Sequence, residues 1–258
     1  MNLYQKLQKK LQDVYYTSLP VLLPQSRLKV ECPFCGWRGE SFLPNGVEVR
    51  PNARCPKCNS LERHRLYYLY LKNVIPAGGK LKVLHFAPEK ILTRLFTSYQ
   101  NIDYLSADID PSKAMVREDI TRISCQDNSF DIIFCSHVLE HIPDDRLAMR
   151  ELYRVLKPNG FAILQVPIKD IFHGRVIEKT YEDFSITTPE GREKAFGQND
   201  HVRVYGRDFK DRIASVGFHV REEKFVESLP GELVNKHALL PSLPPVMETE
   251  GWIYYCTK

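Results

Sequence analysis

The sequence predicts an α/β domain built on a mostly parallel sheet, with a small metal-binding module ahead of it. Three observations carry this. From Lys80 onward, short apolar runs alternate with amphipathic ones; two Cys-x2-Cys pairs lie close together in the first sixty residues; and two strand-like runs, FHVREEKFV and GWIYYCTK, close the chain with no clear helix between them. At 258 residues and 43% apolar content there is room for one large core and one small module.

Residues 1–30 contain LYQKLQKKLQDVYY, expected to be a helical segment. The nearby apolar run VYYTSLPVLLP is broken by Ser and Pro, so neither a signal peptide nor a spanning helix is expected, and the protein is placed in the cytoplasm. Residues 1–72 hold 12 Lys/Arg against 5 Asp/Glu, while the remainder holds 24 against 27. A basic front suits an anionic partner or a solvated surface.

Residues 31–60 carry CPFCGW and CPKCNS. Two Cys-x2-Cys pairs at this separation suit a structural zinc site, in which Cys32, Cys35, Cys55 and Cys58 form a closed tetrahedron. Gly36 and Asn59 follow the pairs directly, where each knuckle needs a residue that tolerates positive φ. Seven cysteines without a secretory signal argue against a disulfide framework, and Cys125, Cys135 and Cys256 read as small buried hydrophobes.

Residues 61–79 follow as a connecting helix, SLERHRLYYLYLKNV, with Ser60 as its expected N-cap. Its charged start, Arg63, His64 and Arg65, is expected to pack on the ribbon rather than to meet a phosphate.

Residues 80–258 form the main domain. KLKVLHF, IDYLSADI, SFDIIFCS and GFAILQVPI read as strands; EKILTRLFTSY, DDRLAMRELYRVL and RDFKDRIASVG read as helices. Asp144 is an expected N-cap, Leu147, Leu152, Val155 and Leu156 an expected apolar face, and KPNG an expected turn. The two closing strands are expected to be antiparallel. Ligands of such a sheet bind beyond the carboxyl ends of its strands, which directs attention to His85–Lys90, Asp108–Pro111, Asp119–Ile120 and Ser136–His141.

The run DITRISCQDNSFDIIFCSHVLEHIPDDRLAMRELYRVLKPNGFAILQVP, residues 119–167, resembles class I S-adenosylmethionine-dependent methyltransferases of the type 11-like group. The resemblance implies a Rossmann-like seven-stranded sheet with an antiparallel last strand, and S-adenosylmethionine as cofactor. It makes Asp108 the residue that binds the cofactor ribose and sets Asp119 and Ile120 against the adenine. His85 stands where the family has an acid, and Ala87, Pro88 and Glu89 stand where its glycine-rich loop runs. The cofactor carries no phosphate, so a glycine-free turn can still serve, with Glu89 facing its positive charges. Ser136 completes the expected cofactor contacts.

For a hydroxyl acceptor, His137 and His201 are the expected catalytic histidines, and Arg203 and Tyr205 the expected acceptor contacts. The ERHR and HFAPE runs resemble a branch of methyltransferases associated with surface glycans, so the expected function is O-methylation of a small-molecule or glycan acceptor. Two alternatives stay open: an RNA methyltransferase gripping nucleic acid through its basic ribbon, and a non-catalytic interaction protein. The four cysteines predict one zinc ion per chain, checked by elemental analysis of untagged protein; a metal-free chain would contradict the ribbon.

Overall fold

The computed structural model describes residue 14 and residues 24–46, 49–168, 171–172, 175–241 and 251–258. Apart from Val14, the expected helix LYQKLQKKLQDVYY lies outside the described residues, as does 242–250 of the Pro-rich stretch before the last strand. Among the described residues no helix is long and apolar enough to cross a membrane. The chain forms two compact units, Met1–Ile75 with Lys224–Val246, and Pro76–Glu223 with Met247–Lys258.

In the first unit, β1 (Val30–Glu31) pairs with β2 (Arg38–Gly39), and β3 (Leu43–Asn45) with β4 (Arg50–Arg54), all antiparallel. The knuckles sit in the turns around these strands. Gly36 and Asn59 adopt φ of 67° and 62°, as their positions required, and their amides donate to the Cys32 and Cys55 carbonyls at 2.9 Å. Helix α1 (Glu62–Val74) follows. Ser60 does not cap it: Leu61 is the N-cap, and the imidazole of His64 accepts from its amide at 3.0 Å. The Ser60 hydroxyl instead lies 3.2 Å from the Cys32 sulfur and 3.3 Å from that of Cys58.

Arg65 ties this unit together. Its side chain is fully buried and donates to the carbonyls of Ala53, Ser60, His237 and Ala238 at 2.6–2.9 Å, while its guanidinium lies over the Phe42 ring. Burial lowers its pKa to about 10, so it stays charged at neutral pH. The apolar ribbon core of Val30, Trp37, Phe42 and Ala238 packs with Cys32 and Cys55 beside it.

The second unit holds a seven-stranded sheet: β5 (Leu81–Phe86), β6 (Ile102–Asp108), β7 (Val116–Arg117), β8 (Phe130–Ser136), β9 (Leu156–Gln165), β14 (His219–Glu223) and β15 (Ile253–Thr257), in the order β14-β15-β9-β8-β5-β6-β7. The short strands β10 (Ile171–Phe172), β11 (Arg175–Val176), β12 (Tyr181–Glu182) and β13 (Arg203–Val204) form small pairs outside it. β7, β6, β5, β8 and β9 are parallel, and β15 runs antiparallel to both its neighbours, as the closing strands foretold.

A parallel sheet must be covered on both faces. The helices of this unit are α2 (Lys90–Thr97), α3 (Asp145–Val155), α4 (Pro189–Phe196) and α5 (Phe209–Ala214). On one face Leu84, Phe86, Ala107, Ile133, Cys135, Ala162 and Leu164 pack against α3 and α5 through Ala148, Met149, Leu152, Phe209 and Ile213. On the other, His85, Tyr104 and Phe134 meet Phe96 of α2. Cys135 and Cys256 are fully buried, as expected of apolar thiols, while Cys125 is half-buried at the core's edge.

Asp144 caps α3, accepting from the Leu147 amide at 2.9 Å, but Leu147 itself faces solvent. The buried stripe runs instead through Ala148, Met149, Leu152 and Val155. The KPNG run does not leave the sheet. Phe130 pairs with Leu156 and Ile132 with Phe161, so Lys157–Gly160 bulge out within β9. A side chain at Gly160 would meet the Asp131 carbonyl at 2.6 Å, and the bulge therefore needs glycine.

Replacing Arg65 with Met would strand four carbonyl acceptors, and a loss of about 3 kcal/mol or more is expected in denaturant unfolding of the first unit. Arg65→Lys should recover only part of it, because one ammonium cannot reach diverging acceptors. A wild-type midpoint for Arg65→Met would remove this network from the stability of the unit.

Candidate functional site

Strand register brings the predicted loop residues together. Phe86 of β5 lies opposite Ala107 of β6 and Cys135 of β8, so the next residues, Ala87, Asp108 and Ser136, fall in one row across three adjacent strands. Strand order reverses here, since β6 and β7 lie to one side of β5 and β8 and β9 to the other. Diverging loops open a crevice at such a reversal.

Ala87 takes φ 48°, a left-handed conformation that glycine would adopt without strain, and its amide donates to the Ala107 carbonyl at 2.9 Å. The glycine-free turn thus makes the sharp bend with an alanine. Glu89 is the N-cap residue of α2, without a side-chain cap bond. Asp108 accepts from the Asp110 amide at 2.8 Å through Oδ1. Its Oδ2 has no protein partner among the described residues. Ser136 is buried at the end of β8, and its hydroxyl has no hydrogen-bond partner among the described residues. Such an orphaned polar atom, with a carboxylate oxygen in the same row, suits a polar ligand in the crevice. Asp119 is exposed and accepts from the Thr121 amide and hydroxyl, which holds its pKa down; Ile120 points into the core.

His85 lies away from that row. It is 1% exposed, its Nδ1 is 3.0 Å from the Tyr104 hydroxyl, and Phe96, Tyr104 and Phe134 surround its ring. Burial pushes its pKa down to about 4, only partly opposed by Glu89.

Beyond β8 the histidines gather. His137 has φ 57° and donates its amide to the Gln165 carbonyl at 2.9 Å, which turns its ring toward Glu140, with Nδ1 3.3 Å from Oε1. His141 packs edge-on against His201, ring centroids 4.8 Å apart. His201 is buried, and desolvation lowers its pKa. The Val202 amide donates to the Glu140 carbonyl at 2.9 Å and ties the two loops together. Glu140, 1% exposed, was missed in the sequence; the signal was an acid between two histidines in SHVLEHIP.

Arg203 and Tyr205 are buried, and their polar atoms are engaged within the protein. Arg203 donates to the carbonyls of Leu139, Ile142 and Pro143 and to the Glu182 carboxylate. The Tyr205 hydroxyl donates to Asp145, which also pairs with Arg212 at 2.9 Å. These residues hold the segment after β8 against β13 and α5.

In the first unit, the Cys32–Cys58 and Cys35–Cys55 sulfurs are 3.5 and 3.7 Å apart, and all four lie within 4.8 Å of one another. Tetrahedral Zn–S bonds of ~2.3 Å require S···S distances of about 3.8 Å, so the set fits a zinc ion. Hydrogen bonds from Cys35, Cys55 and Cys58 hold the Cys32 thiol far below the ordinary range, and the bond to Cys32 drives Cys55 far above it. A cation would let all four ionise.

Residues 78–164 match the family model described as methyltransferase domain. This region is a class I methyltransferase domain. The chain is 24% identical over 184 residues to sterol 24-C-methyltransferase of Schizosaccharomyces pombe, covering 64% of this chain and 46% of that protein. It is 24% identical over 134 residues to demethylmenaquinone methyltransferase of Staphylococcus aureus, covering 42% of this chain and 56% of that one. The chain thus spans about half the length of these curated relatives. Among solved structures, an S-adenosylmethionine-dependent methyltransferase from Mesorhizobium loti superposes with a TM-score of 0.47 at 14% identity, covering 75% of this chain and 98% of that one. Within the methyltransferase domain and the loops that follow it, the row of Ala87, Asp108 and Ser136 and the histidine group share the carboxyl side of the sheet.

His85 titrates near pH 4 in the folded protein and near 6.5 when unfolded, so the unfolded chain takes up the proton first. Its contribution to stability is complete above pH 6.5 and falls as pH drops from 6.5 toward 4. His85→Gln should reduce the stability lost between neutral pH and about pH 4.5 by on the order of 2 kcal/mol, measured by urea unfolding at each pH. Identical pH dependence in the variant would assign the acid sensitivity elsewhere.

Proposed function

We propose that this chain is an S-adenosylmethionine-dependent methyltransferase acting at oxygen on a small-molecule acceptor. The observation that carries the reading is the row formed by Ala87, Asp108 and Ser136 at the strand-order reversal, with a carboxylate oxygen and a buried hydroxyl unpartnered among the described residues. The sterol and the demethylmenaquinone for which two relatives are named are small molecules, which supports an acceptor of that size.

When bound, S-adenosylmethionine supplies an electrophilic methyl group on its sulfonium. Asp108 would accept from the ribose hydroxyls through Oδ2, and Ser136 would offer its hydroxyl to the same ligand. Asp119 and the Ile120 backbone would lie toward the adenine, and Glu89 toward the cationic end. On the acceptor side, His137 is the proposed base. The Glu140 carboxylate beside Nδ1 favours the tautomer with its proton there, which leaves the Nε2 lone pair to take the acceptor's hydroxyl proton. His201 would orient the acceptor loop. The four-cysteine set would hold a structural zinc, closed to substrate.

Calorimetric titration of zinc-loaded protein with S-adenosylmethionine and S-adenosylhomocysteine tests the reading. Micromolar affinity is expected, weakened about tenfold or more by Asp108→Ala, which corresponds to about 1.4 kcal/mol. Absence of binding at millimolar cofactor, or affinity indifferent to Asp108→Ala, would overturn it.

A further inference from the structure

Glu140, His141 and His201 each present one metal-ligating atom, and these atoms lie within 4.8 Å of one another. Ligand bonds of ~2.0–2.2 Å in a tetrahedron set the donors about 3.3–3.6 Å apart, so an ion would draw these side chains in from separations of up to 4.8 Å. Three further observations concern this cluster and none of them involves the cysteine site.

The first is the Glu140 carboxylate. The residue is 1% exposed; Oε1 faces His137, and Oε2 is buried with no hydrogen-bond partner among the described residues. A buried carboxylate oxygen without a donor is costly, and a cation bound there removes the cost.

The second is the setting of His141. Its Nδ1 lies 3.3 Å from the Asp200 carbonyl and 3.5 Å from the Asp200 carboxylate, which leaves Nε2 for a metal. An imidazole that binds a metal through one nitrogen commonly donates the other N–H to a carbonyl or carboxylate, which fixes its tautomer and orientation.

The third is the fixing of the loops. Glu140 and His141 sit in the 3-10 turn Leu139–His141, and His201 precedes β13. Val202 bonds back to the Glu140 carbonyl, and Arg203 binds the Leu139, Ile142 and Pro143 carbonyls. The three candidate ligands are therefore preorganised by backbone contacts on either side of them.

We propose that Glu140 Oε2, His141 and His201 form a second metal site, distinct from the cysteine site, that binds a divalent first-row transition ion. Two imidazoles and one carboxylate suit zinc, cobalt, iron or nickel better than magnesium or calcium. Three protein ligands leave the ion open coordination positions. The site stands on this cluster alone and does not depend on the methyl-transfer reading.

The test uses the full chain. Wild-type protein, Glu140→Gln and His201→Ala are equilibrated with about 50 μM free zinc, and bound zinc is counted by elemental analysis. Cobalt substitution then separates the two environments, because thiolate ligation adds intense charge-transfer absorption that an imidazole–carboxylate site lacks. Wild type should hold two ions per chain, and each variant only the thiolate-bound one. That retained ion, with an unchanged circular dichroism spectrum, shows that the variant is folded. A wild-type chain that takes up only the thiolate-bound ion, or folded variants that keep both, would overturn the second site.

Discussion

The constraint on which the rest of the second unit depends is that its central parallel strands are buried on both faces. Leu84 and Phe86 of β5 must be covered from one side, and Val83 and His85 from the other. Helices therefore lie on both faces, and the parallel connections bring the carboxyl ends of β5, β6 and β8 to one level. Ala87, Asp108 and Ser136 are neighbours because the sheet is in register, although they are far apart in the chain.

Backbone strain collects at that same level. Ala87 and His137 follow the ends of β5 and β8 and both take positive φ, a conformation that costs about 1 kcal/mol or more without glycine. In each case the amide is bonded to a neighbouring strand, Ala87 to Ala107 and His137 to Gln165, so the sheet holds the strained residue in place. At His137 this bend aims the imidazole at Glu140, and through Glu140 the carboxyl end of β8 is linked to the His141–His201 pair. The row of Ala87, Asp108 and Ser136 and the histidine cluster are thus two consequences of one sheet edge.

The first unit works on a different principle. Its apolar core is small, and its cohesion comes from four sulfurs and one buried arginine. Arg65 reaches carbonyls on both sides of the ribbon's second knuckle and two more at His237 and Ala238, so residues late in the chain complete a unit that begins early.

The sequence by itself determined whatever depends on local chemistry. Two Cys-x2-Cys pairs followed by Gly36 and Asn59 encode the knuckles, because four sulfurs and two positive φ angles are short-range requirements. Alternating apolar runs encode the sheet and its helices, and Asp144 encodes the start of α3. Only the tertiary structure decided which polar residues would be engaged by distant parts of the protein. His85, Arg203 and Tyr205 look the same in the sequence as His137 and His201, yet aromatic packing and distant carbonyls and carboxylates engage the first three. Glu140 and His201 are separated by sixty-one positions and meet because Val202 bonds to the Glu140 backbone. The physical reason is that burial and partner choice are set by contacts across the sheet, which a single run of residues does not contain.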